Sequence, residues 1–533
     1  MNKVATYLNE HLAGEVTSAK SVRQRFSTDS SILSMTPELV AFPRSTQDIR
    51  KIARFTWQLA EKGHPLSITM RGFGANVTGA AIGRGIIIDT ATYLGDVIDI
   101  VFKEKLVHVQ PGAAIDTVEA AIRWQGLTLR GSRHYISRDM SIGGILASDS
   151  YGVDGALADS IDRIEVVLAN GDTLETGRMS KREVNRKLGL QTLEGEIYRK
   201  LNGLFEDNEE LIDEIAKKAT QDNTGYSRIA DVRQKDGSMD LTPLFVGSQG
   251  TLGVISEVVL RADYYSQDST HFAITTDSVQ TARDIAERIA ELKPAELGVY
   301  DGALFRAAAK YGVRFSALGS VDQLGAVLYI RLNDISPRLQ KKNAKKVRKL
   351  LKKMEMEAVD STQVDEEEFN AIAAVAHRIT RTVDDSKSVL PIFDGISVPA
   401  LRREEFEIAL RELEARHHME LPLVLNVLAN TYDLYPELSI KSVTDKQRLF
   451  KLMADTAVVA RRCGGSFVSS GAEGRVKANA AWAALDEAEV KLYQEIREIF
   501  DPLKTLNPGV KQKVELRQVV ASLRSDYGQG SLL

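Results

Sequence analysis

A glycine-rich segment with a strand pattern on each side constrains the fold more than any other feature of the sequence. It reads T-M-R-G-F-G-A-N-V-T-G-A-A-I-G-R-G-I-I-I-D from Thr69 to Asp89, and the strand patterns cover residues 66–70 and 85–89. A Rossmann dinucleotide site requires the glycine loop to open a helix inside a βαβ unit of about 30 residues. No helix fits between these strands, and G-x-x-x-x-G-K-[ST] is absent, so both common nucleotide loops are excluded.

Two other glycine-rich segments change the interpretation of this loop. Alone, it is compatible with a tight turn or with a turn whose backbone N–H groups approach an anion. Residues 141–152 and 246–257 again mix glycine with small residues around a short apolar core. Three such segments in one domain indicate backbone wrapped along a long ligand with a central pyrophosphate.

Composition narrows the class of protein. A chain of 533 residues predicts two or more domains. The formal net charge of -4 argues against nucleic acid as a partner. Cys463 is the single cysteine, so a disulfide within the chain is excluded. Without an apolar run of about 18 residues or a signal-peptide core, a cytoplasmic protein is expected.

One predicted helix is strongly basic. Residues 338–357 place Ala344, Val347 and Leu351 on one face and lysines and arginines on the rest. The pattern predicts either a solvated helix packed on a sheet or a contact with an anionic membrane surface. The second alternative makes the protein peripheral at the inner face of the membrane.

The glycine-rich segments resemble one family of flavoproteins. Arg71–Gly79 is similar to the pyrophosphate loop of the vanillyl-alcohol-oxidase and para-cresol-methylhydroxylase superfamily. Ser141–Ser148 is similar to its T-x-G-G-x-x-A segment, and Gly247–Ile255 to its G-S-E-G-T-L-G-V-I segment, with Gln249 in place of glutamate. Their order and spacing fit the branch that contains glycolate oxidase and the FAD-linked D-lactate dehydrogenases.

The resemblance implies an α+β fold in three parts. A two-subdomain FAD-binding fold of the para-cresol-methylhydroxylase (PCMH) type is expected over residues 1–263. A cap domain with an antiparallel sheet and substrate residues is expected over residues 264–482. The segment 483–533 is expected to return to the FAD domain.

The resemblance also implies FAD as the cofactor. The Arg71–Gly79 loop lacks the His or Cys of covalent members, so a non-covalent FAD is expected. The residues implied on the cofactor are Arg71, Gly72, Phe73, Gly74, Ala75, Asn76, Val77, Pro111, Gly112, Ser141, Gly143, Gly144, Ala147, Ser148, Gly152, Gly253, Val254, Ile255 and Asn507.

The cap departs from the family where histidines can hold a metal. The segment H-A-G-D-G-N-L-H-P reads L-A-N-T-Y-D-L-Y-P here, with Leu428 and Tyr435 at the histidine positions. In the later segment S-G-E-H-G-I-G, Ala472 and Glu473 replace the glutamate and the histidine. Because the histidine ligands are lost together, no metal site is expected.

Four residues of the cap are candidates for catalysis. Tyr435 and Glu473, at the histidine positions, are candidates for the base or for hydrogen bonds to substrate. Arg378 and Arg475 are candidates for binding a carboxylate with two N–H groups. For each of the four, an ordinary structural or surface position is an equally simple interpretation.

The leading hypothesis is an FAD-dependent oxidoreductase that oxidises a CH–OH group of a small substrate, such as a D-lactate-like or glycolate-like 2-hydroxy acid. The lost histidines leave a sugar-like alcohol or lactone as an alternative. A flavin-binding subunit with little activity of its own is the rival from another class. The electron acceptor is open among oxygen, a quinone and a redox protein.

Overall fold

The computed structural model describes residues 2–133, 140–380, 388–524 and 527 of the chain. The strands of its first half are β1 (Glu15–Thr17), β2 (Leu39–Phe42), β3 (Ile68–Arg71), β4 (Ile86–Asp89), β5 (Val97–Val101), β6 (Leu106–Val109), β7 (Leu127–Thr128), β8 (Tyr151–Gly152), β9 (Gly155–Ala156), β10 (Ile161–Val167), β11 (Thr173–Glu175), β12 (Val254–Arg261) and β13 (Asp263–Tyr264). The helices of this half are α1 (Lys3–His11), α2 (Lys20–Arg25), α3 (Thr46–Glu61), α4 (Ile115–Arg123), α5 (Ile142–Ser148), α6 (Lys181–Leu188), α7 (Leu193–Asp207), α8 (Glu209–Ala216) and α9 (Thr242–Phe245).

The first sheet, in the order β1-β2-β4-β3, explains the shape of the glycine loop. Strands β2, β4 and β3 run parallel, and Ile68 is opposite Ile86. Parallel neighbours cannot be joined by a hairpin, because the chain must return along the full strand before it re-enters the sheet. Residues 72–85 make this return without a helix, so the loop is a long crossing segment and not a tight turn.

Helix α3 joins β2 to β3, and the pair Ser45 and Asp48 in the sequence predicts a capping box at its start. Its N-cap Ser45 accepts a hydrogen bond from the Asp48 amide, as expected. The predicted return bond from the Asp48 side chain is absent. The Asp48 carboxylate instead accepts hydrogen bonds from the amides of Ala13, Gly14 and Arg44 at 2.9–3.0 Å. The Asp48 carboxylate therefore holds the N-terminal segment in place, and no local sequence pattern predicts this contact.

The second sheet is antiparallel, in the order β11-β10-β12-β6-β5. Asn170-Gly171 between two strand patterns predicts a hairpin. The structure confirms it, because β10 pairs antiparallel with β11, and Gly171 has φ +84°. Strand β12 continues from the third glycine-rich segment into the centre of this sheet. The first and third glycine-rich segments thus lie at strand ends of these two sheets, and the second contains α5 and β8.

The second half forms a cap around one larger sheet. Its strands are β14 (Thr270–Thr276), β15 (Glu296–Asp301), β16 (Ala326–Leu332), β17 (Val359–Asp360), β18 (Ser388–Val389), β19 (Phe393–Ser397), β20 (Leu423–Asn426), β21 (Thr431–Leu434) and β22 (Glu437–Leu438). Its helices, with those of the C-terminal segment, are α10 (Val279–Ala290), α11 (Gly302–Lys310), α12 (Pro337–Lys353), α13 (Glu366–Ala373), α14 (Val375–Thr380), α15 (Arg403–His417), α16 (Val443–Arg462), α17 (Ala478–Trp482), α18 (Glu487–Phe500) and α19 (Leu516–Ala521).

The cap sheet is antiparallel, in the order β17-β14-β16-β15-β20-β21-β19. Alternate side chains enter different cores: Leu328 and Ile330 pack toward α10 and α12, whereas Val327 and Tyr329 pack toward α11 and α13. The second of these faces also contacts Tyr435, and it borders the site described below.

The C-terminal segment returns to the first sheet. Leu506 pairs with Ile68, and the Asn507 amide donates to the Ile68 carbonyl at 2.8 Å. Further on, Leu523 pairs with Leu33. In the part of the chain that the structure describes, no helix combines the length and the apolar character needed to cross a membrane.

Candidate active site

The glycine loop presents a row of backbone donors. Among the described residues, no acceptor lies within hydrogen-bond range of the N–H groups from Gly72 to Val77. The loop is held from within by Asn76, whose Oδ1 accepts hydrogen bonds from the Thr78 and Ala80 amides and from the Thr78 hydroxyl. Six consecutive unsatisfied N–H groups in a fixed loop form a site for an anion.

Glycine is required at two positions of this loop. A Cβ at Gly72 would lie 2.2 Å from Ser141 Oγ, which is on the second glycine-rich segment. Gly74 has φ +77°, and a Cβ there would lie 2.3 Å from Arg71 Nη2. Arg71 lies beneath the loop and donates to the Thr28 carbonyl at 2.7 Å. Burial lowers the pKa of its guanidinium, and Asp29 and Asp89 oppose this effect.

The second segment forms the start of α5. The N-cap Ser141 accepts a hydrogen bond from the Gly144 amide through its Oγ. The Gly143 amide donates to the Pro111 carbonyl at 2.8 Å, and a Cβ at Gly143 would lie 2.8 Å from Pro111 Cβ. The small residue therefore lets the helix start pack directly on the segment that contains Pro111.

The third segment connects the other two. Gln249, which replaces the family's glutamate, has φ +53°, and its amide donates to the Ala147 carbonyl at 2.8 Å. Its side chain donates to Thr78 Oγ1 at 3.2 Å and accepts from the Gly474 amide at 3.0 Å. Gln249 thus joins the glycine loop, α5 and the cap.

These segments line one wall of a cavity of about 250 Å³. The predicted cofactor residues found in its lining are Arg71, Gly72, Phe73, Gly74, Ala75, Asn76, Val77, Pro111, Ser141, Gly143, Gly144, Ala147, Ser148, Gly253 and Ile255. The predicted residues outside its lining are Gly112, Gly152, Val254 and Asn507. Asn507 supports the wall from behind, because its Nδ2 donates to the carbonyls of Ala80 and Gln249.

The part of the lining that comes from the cap contains two acidic residues. Asp394 and Asp433 both line the cavity. Lys477, which is fully buried, forms an ion pair with Asp394 and also donates to its backbone carbonyl at 2.8 Å. Asp433 accepts a hydrogen bond from the Gly395 amide at 2.6 Å. Burial, together with the nearby charge of Asp394, raises the pKa of Asp433 to about 6.

Tyr435 is the one residue of the four catalytic candidates that the structure places in the cavity wall. It lies two residues after Asp433, so both side chains lie on the same face of the β21 segment. Burial raises the pKa of its phenol well above the usual value, and the neighbouring Asp433 adds to the effect. Tyr435 is therefore a neutral hydroxyl at the pH of the cell.

Glu473 does not reach the cavity, contrary to the role expected from the sequence. Its carboxylate pairs with Lys511 Nζ at 2.8 Å and accepts hydrogen bonds from Trp482 Nε1 at 2.9 Å and from the Gly225 amide at 3.1 Å. A fully buried carboxylate with these partners joins three distant segments of the chain.

The two arginines also differ from their expected role. Arg475 is buried behind the glycine loop, where it donates to Asn507 Oδ1 at 3.0 Å and to the Pro508 carbonyl at 2.8 Å. Burial lowers its pKa to about 10. Arg378 is exposed on α14, while His377 and Thr380 of the same helix line the cavity. Neither arginine lies in the lining.

Sequence reasoning missed Asp394, Asp433, Lys477 and His377. Asp433 could have been predicted from the sequence, because it precedes Tyr435 by two positions in a strand and lies on the same face. The Asp394–Lys477 pair joins residues 83 positions apart, which no local pattern predicts. Leu428 is exposed, and the described residues contain no group of three or more His, Cys, Asp or Glu side chains placed to hold a metal.

Two family models match the chain. The model described as an FAD binding domain matches residues 37–177, and the one described as the C-terminal domain of FAD linked oxidases matches residues 267–510. The chain is therefore an FAD-linked oxidoreductase with an FAD binding domain and an FAD-linked oxidase C-terminal domain. The loop meets a structural test for FAD, since its unsatisfied N–H groups and crowded glycines form a cradle for a diphosphate.

Curated relatives of this chain include dehydrogenases and an oxidase subunit. A D-2-hydroxyglutarate dehydrogenase of Pantoea ananatis is 23% identical over 553 residues, which cover 99% of this chain and 54% of the relative. The corresponding protein of Escherichia coli is 31% identical over 252 residues, or 46% of this chain and 24% of the relative. The chain thus spans about half the length of these relatives or less. Glycolate oxidase subunit GlcD of Bacillus subtilis is 22% identical over 92% of both chains.

Solved structures share the fold. A p-cresol methylhydroxylase with bound substrate superimposes with a TM-score of 0.69 at 13% identity, covering 96% of each chain. A 4-ethylphenol oxidase from Gulosibacter chungangensis gives 0.68 at 13% identity, covering 96% of this chain and 97% of the other. These likenesses confirm the expected α+β, PCMH-type architecture.

Proposed function

We propose that this protein oxidises a CH–OH group of a small 2-hydroxy acid, D-lactate-like or glycolate-like, and that its FAD is bound without a covalent bond. The observation that carries the proposal is that Asp433 and Tyr435 line the same cavity as the glycine loop. The names of the relatives, which include D-2-hydroxyglutarate dehydrogenases and a glycolate oxidase subunit, support the 2-hydroxy acid.

FAD, when bound in the cavity, supplies the hydride acceptor. Asp433 takes the hydroxyl proton, because a carboxylate with a pKa of about 6 is ionised at neutral pH and still basic enough to accept it. The Gly395 amide holds this carboxylate in place. Tyr435 donates a hydrogen bond to a substrate oxygen. Lys477 offsets the charge of Asp394, so that Asp433 ionises beside a neutralised pair.

The two acidic residues of the lining favour a second candidate, a sugar-like alcohol or lactone. Asp394 and Asp433 repel a substrate carboxylate that approaches them, whereas they accept hydrogen bonds from neutral hydroxyl groups. A third candidate function is suggested by the relative GlcD, which is named as a subunit. In this case the chain is the flavin-binding part of a larger complex and has little activity of its own.

The basic helix α12 suggests a membrane surface as a partner of the protein. Helix α12 exposes nearly all of its lysines, and of its basic residues only Arg348 is ion-paired among the described residues, with Asp360. Ile335 and Leu339, near its N-terminus, are exposed apolar side chains. Basic and apolar groups side by side suit an anionic membrane surface. We propose that α12 makes a peripheral contact there, which suits a membrane quinone among the possible acceptors.

Anaerobic addition of D-lactate, glycolate and D-2-hydroxyglutarate to the purified flavoprotein tests the proposed function. Reduction appears as loss of the visible absorbance of the flavin. We expect bleaching by at least one of these acids, and a much slower response to L-lactate and L-2-hydroxyglutarate than to a D enantiomer that bleaches the flavin. Bleaching only by polyols or lactones selects the second candidate, and no bleaching by any donor selects the flavin-binding subunit.

A further inference from the structure

A second cavity, of about 110 Å³, adjoins the first. The two share a wall made by Tyr151, His377, Asp433, Tyr435 and Ser470. Asp433 and Tyr435 therefore face both spaces. A substrate whose reacting carbon lies beside these two residues has the second space directly beyond it.

One face of the cap sheet builds the second cavity. Side chains that alternate along a strand share a face, and the sheet presents them in register with their neighbours. Strand β15 contributes Glu296 and Tyr300, and β16 contributes Tyr329. Strands β20 and β21 contribute Asn426 and Thr431. A row of polar side chains thus covers a face that would otherwise pack apolar groups.

The charged groups at this face are paired with one another. The Glu296 carboxylate lies 3.1 Å from Arg133 Nε and 3.0 Å from Arg331 Nη1. Glu296 lines the second cavity, whereas neither Arg133 nor Arg331 does. Asp433, at the shared wall, adds a negative charge when it is ionised. A substrate carboxylate in this space lacks a strong counter-charge and is disfavoured.

Apart from Glu296, the polar residues of the lining beyond the shared wall are neutral. Tyr300 and Thr431 carry hydroxyl groups, which both donate and accept. The Tyr329 hydroxyl is hydrogen-bonded to His271 Nδ1 at 2.9 Å. Asn426 accepts from the Ala429 amide at 3.1 Å through Oδ1, which leaves its Nδ2 without an acceptor among the described residues. Groups of this kind match hydroxyl groups of a ligand and not its charges.

We propose that the second cavity binds the distal end of the substrate, and that this end is an uncharged hydroxylated chain. The inference rests on the proposed oxidation of a CH–OH group beside Asp433. If the substrate is a 2-hydroxy acid, a hydroxylated distal end makes it a sugar acid. If the substrate is the neutral sugar-like alcohol, a hydroxylated distal end makes it an alditol.

Four compounds with five carbons test the inference. D-Ribonate, D-2-hydroxypentanoate and D-2-hydroxyglutarate differ in the distal end, which is hydroxylated, apolar or anionic, and ribitol lacks the carboxylate. The rate of anaerobic flavin reduction and the shift in melting temperature are measured with each. We expect ribonate to reduce the flavin at least tenfold faster than 2-hydroxyglutarate and to raise the melting temperature more than either other acid.

Tyr300→Phe, with Tyr432→Phe as its control, locates the effect. Tyr300→Phe removes one hydroxyl from the second cavity, whereas Tyr432 lies on the opposite face of β21, where it donates to Glu407. The loss of one hydrogen bond lowers the affinity for a ligand by roughly fivefold to tenfold. We expect the preference for ribonate over 2-hydroxypentanoate to fall by this factor in Tyr300→Phe and to stay unchanged in Tyr432→Phe, whatever either change does to stability.

The outcomes separate this inference from the proposed function. Ribonate or ribitol that raises the melting temperature with this preference, but leaves the flavin oxidised, supports the cavity and refutes the oxidation. Reduction by ribitol and by none of the acids supports the cavity and refutes the 2-hydroxy acid. A preference for 2-hydroxyglutarate, or no shift with any hydroxylated compound, overturns the inference.

Discussion

At the scale of the residue, Asp433 is expected to favour catalysis and to oppose stability. Its pKa rises from 3.8 to about 6 on folding, so the folded protein binds the proton more tightly than the unfolded chain. The resulting loss of stability is absent below about pH 4, grows between pH 4 and pH 6, and is complete above. Asp433→Asn keeps an oxygen for the Gly395 amide and removes the charge.

We therefore expect Asp433→Asn to raise the melting temperature at pH 8 and to change it little at pH 4. Flavin reduction should slow by roughly a hundredfold to ten-thousandfold, the usual contribution of a general base. The wild-type rate should fall below about pH 6, and the variant should lose this dependence. Stopped-flow reduction and thermal unfolding across pH measure both. A variant with wild-type rates removes Asp433 from the mechanism.

Gly74 carries the second prediction at this scale. Gly74→Ala should lose FAD, because the Cβ would lie 2.3 Å from Arg71 Nη2 and displace the side chain that supports the loop. Gly63→Ala is a matched control: Gly63 has φ +78°, and a Cβ there meets nothing within 4 Å. Flavin content per chain is the measurement. Equal occupancy in both variants would show that the loop does not hold the cofactor.

At the scale of the element, α12 carries the membrane proposal. Protein should sediment with vesicles that contain phosphatidylserine and not with phosphatidylcholine alone, and binding should weaken as salt rises. Lys345→Glu with Lys349→Glu should abolish binding, since each lysine contributes about 1 kcal/mol near an anionic surface. Lys62→Glu with Lys103→Glu changes the net charge equally at exposed sites outside α12 and should have no effect. An equal loss of vesicle binding in both double variants would contradict a specific contact through α12.

Elements with a local signal could be predicted from the sequence, and those fixed by distant partners could not. The apolar run of residues 326–332 predicts a strand, and β16 occupies Ala326–Leu332. Asn170-Gly171 forms the predicted hairpin. The glycine loop was predicted between two strands, but their parallel pairing was not visible in it. Arg378 faces away from the cavity because residues 377 and 380 share a helical face that residue 378 leaves by 100°.

The same distinction applies to charge. Glu473 stands at a family histidine position, but its partner Lys511 is 38 residues away and removes it from the cavity. Arg475 is likewise held by Asn507 of the C-terminal segment. A sequence alignment shows which positions correspond. It does not show which distant residue forms an ion pair or hydrogen bonds with a buried charged side chain. The site therefore had to be corrected wherever a distant segment supplies the partner.

At the scale of the whole molecule, turnover should not depend on a metal. The family's histidines are Leu428 and Tyr435 here, and Leu428 is exposed. Activity should survive dialysis against EDTA, measured as flavin reduction before and after. Loss of activity that zinc or manganese restores would refute the prediction.

The central claim is that both halves of the chain enclose one FAD, held without a covalent bond. Acid precipitation of the purified protein tests it most directly. We predict a yellow protein that releases about one FAD per chain into the supernatant and leaves a colourless pellet. A colourless folded protein that takes up no added FAD, or a flavin that stays with the pellet, contradicts the claim.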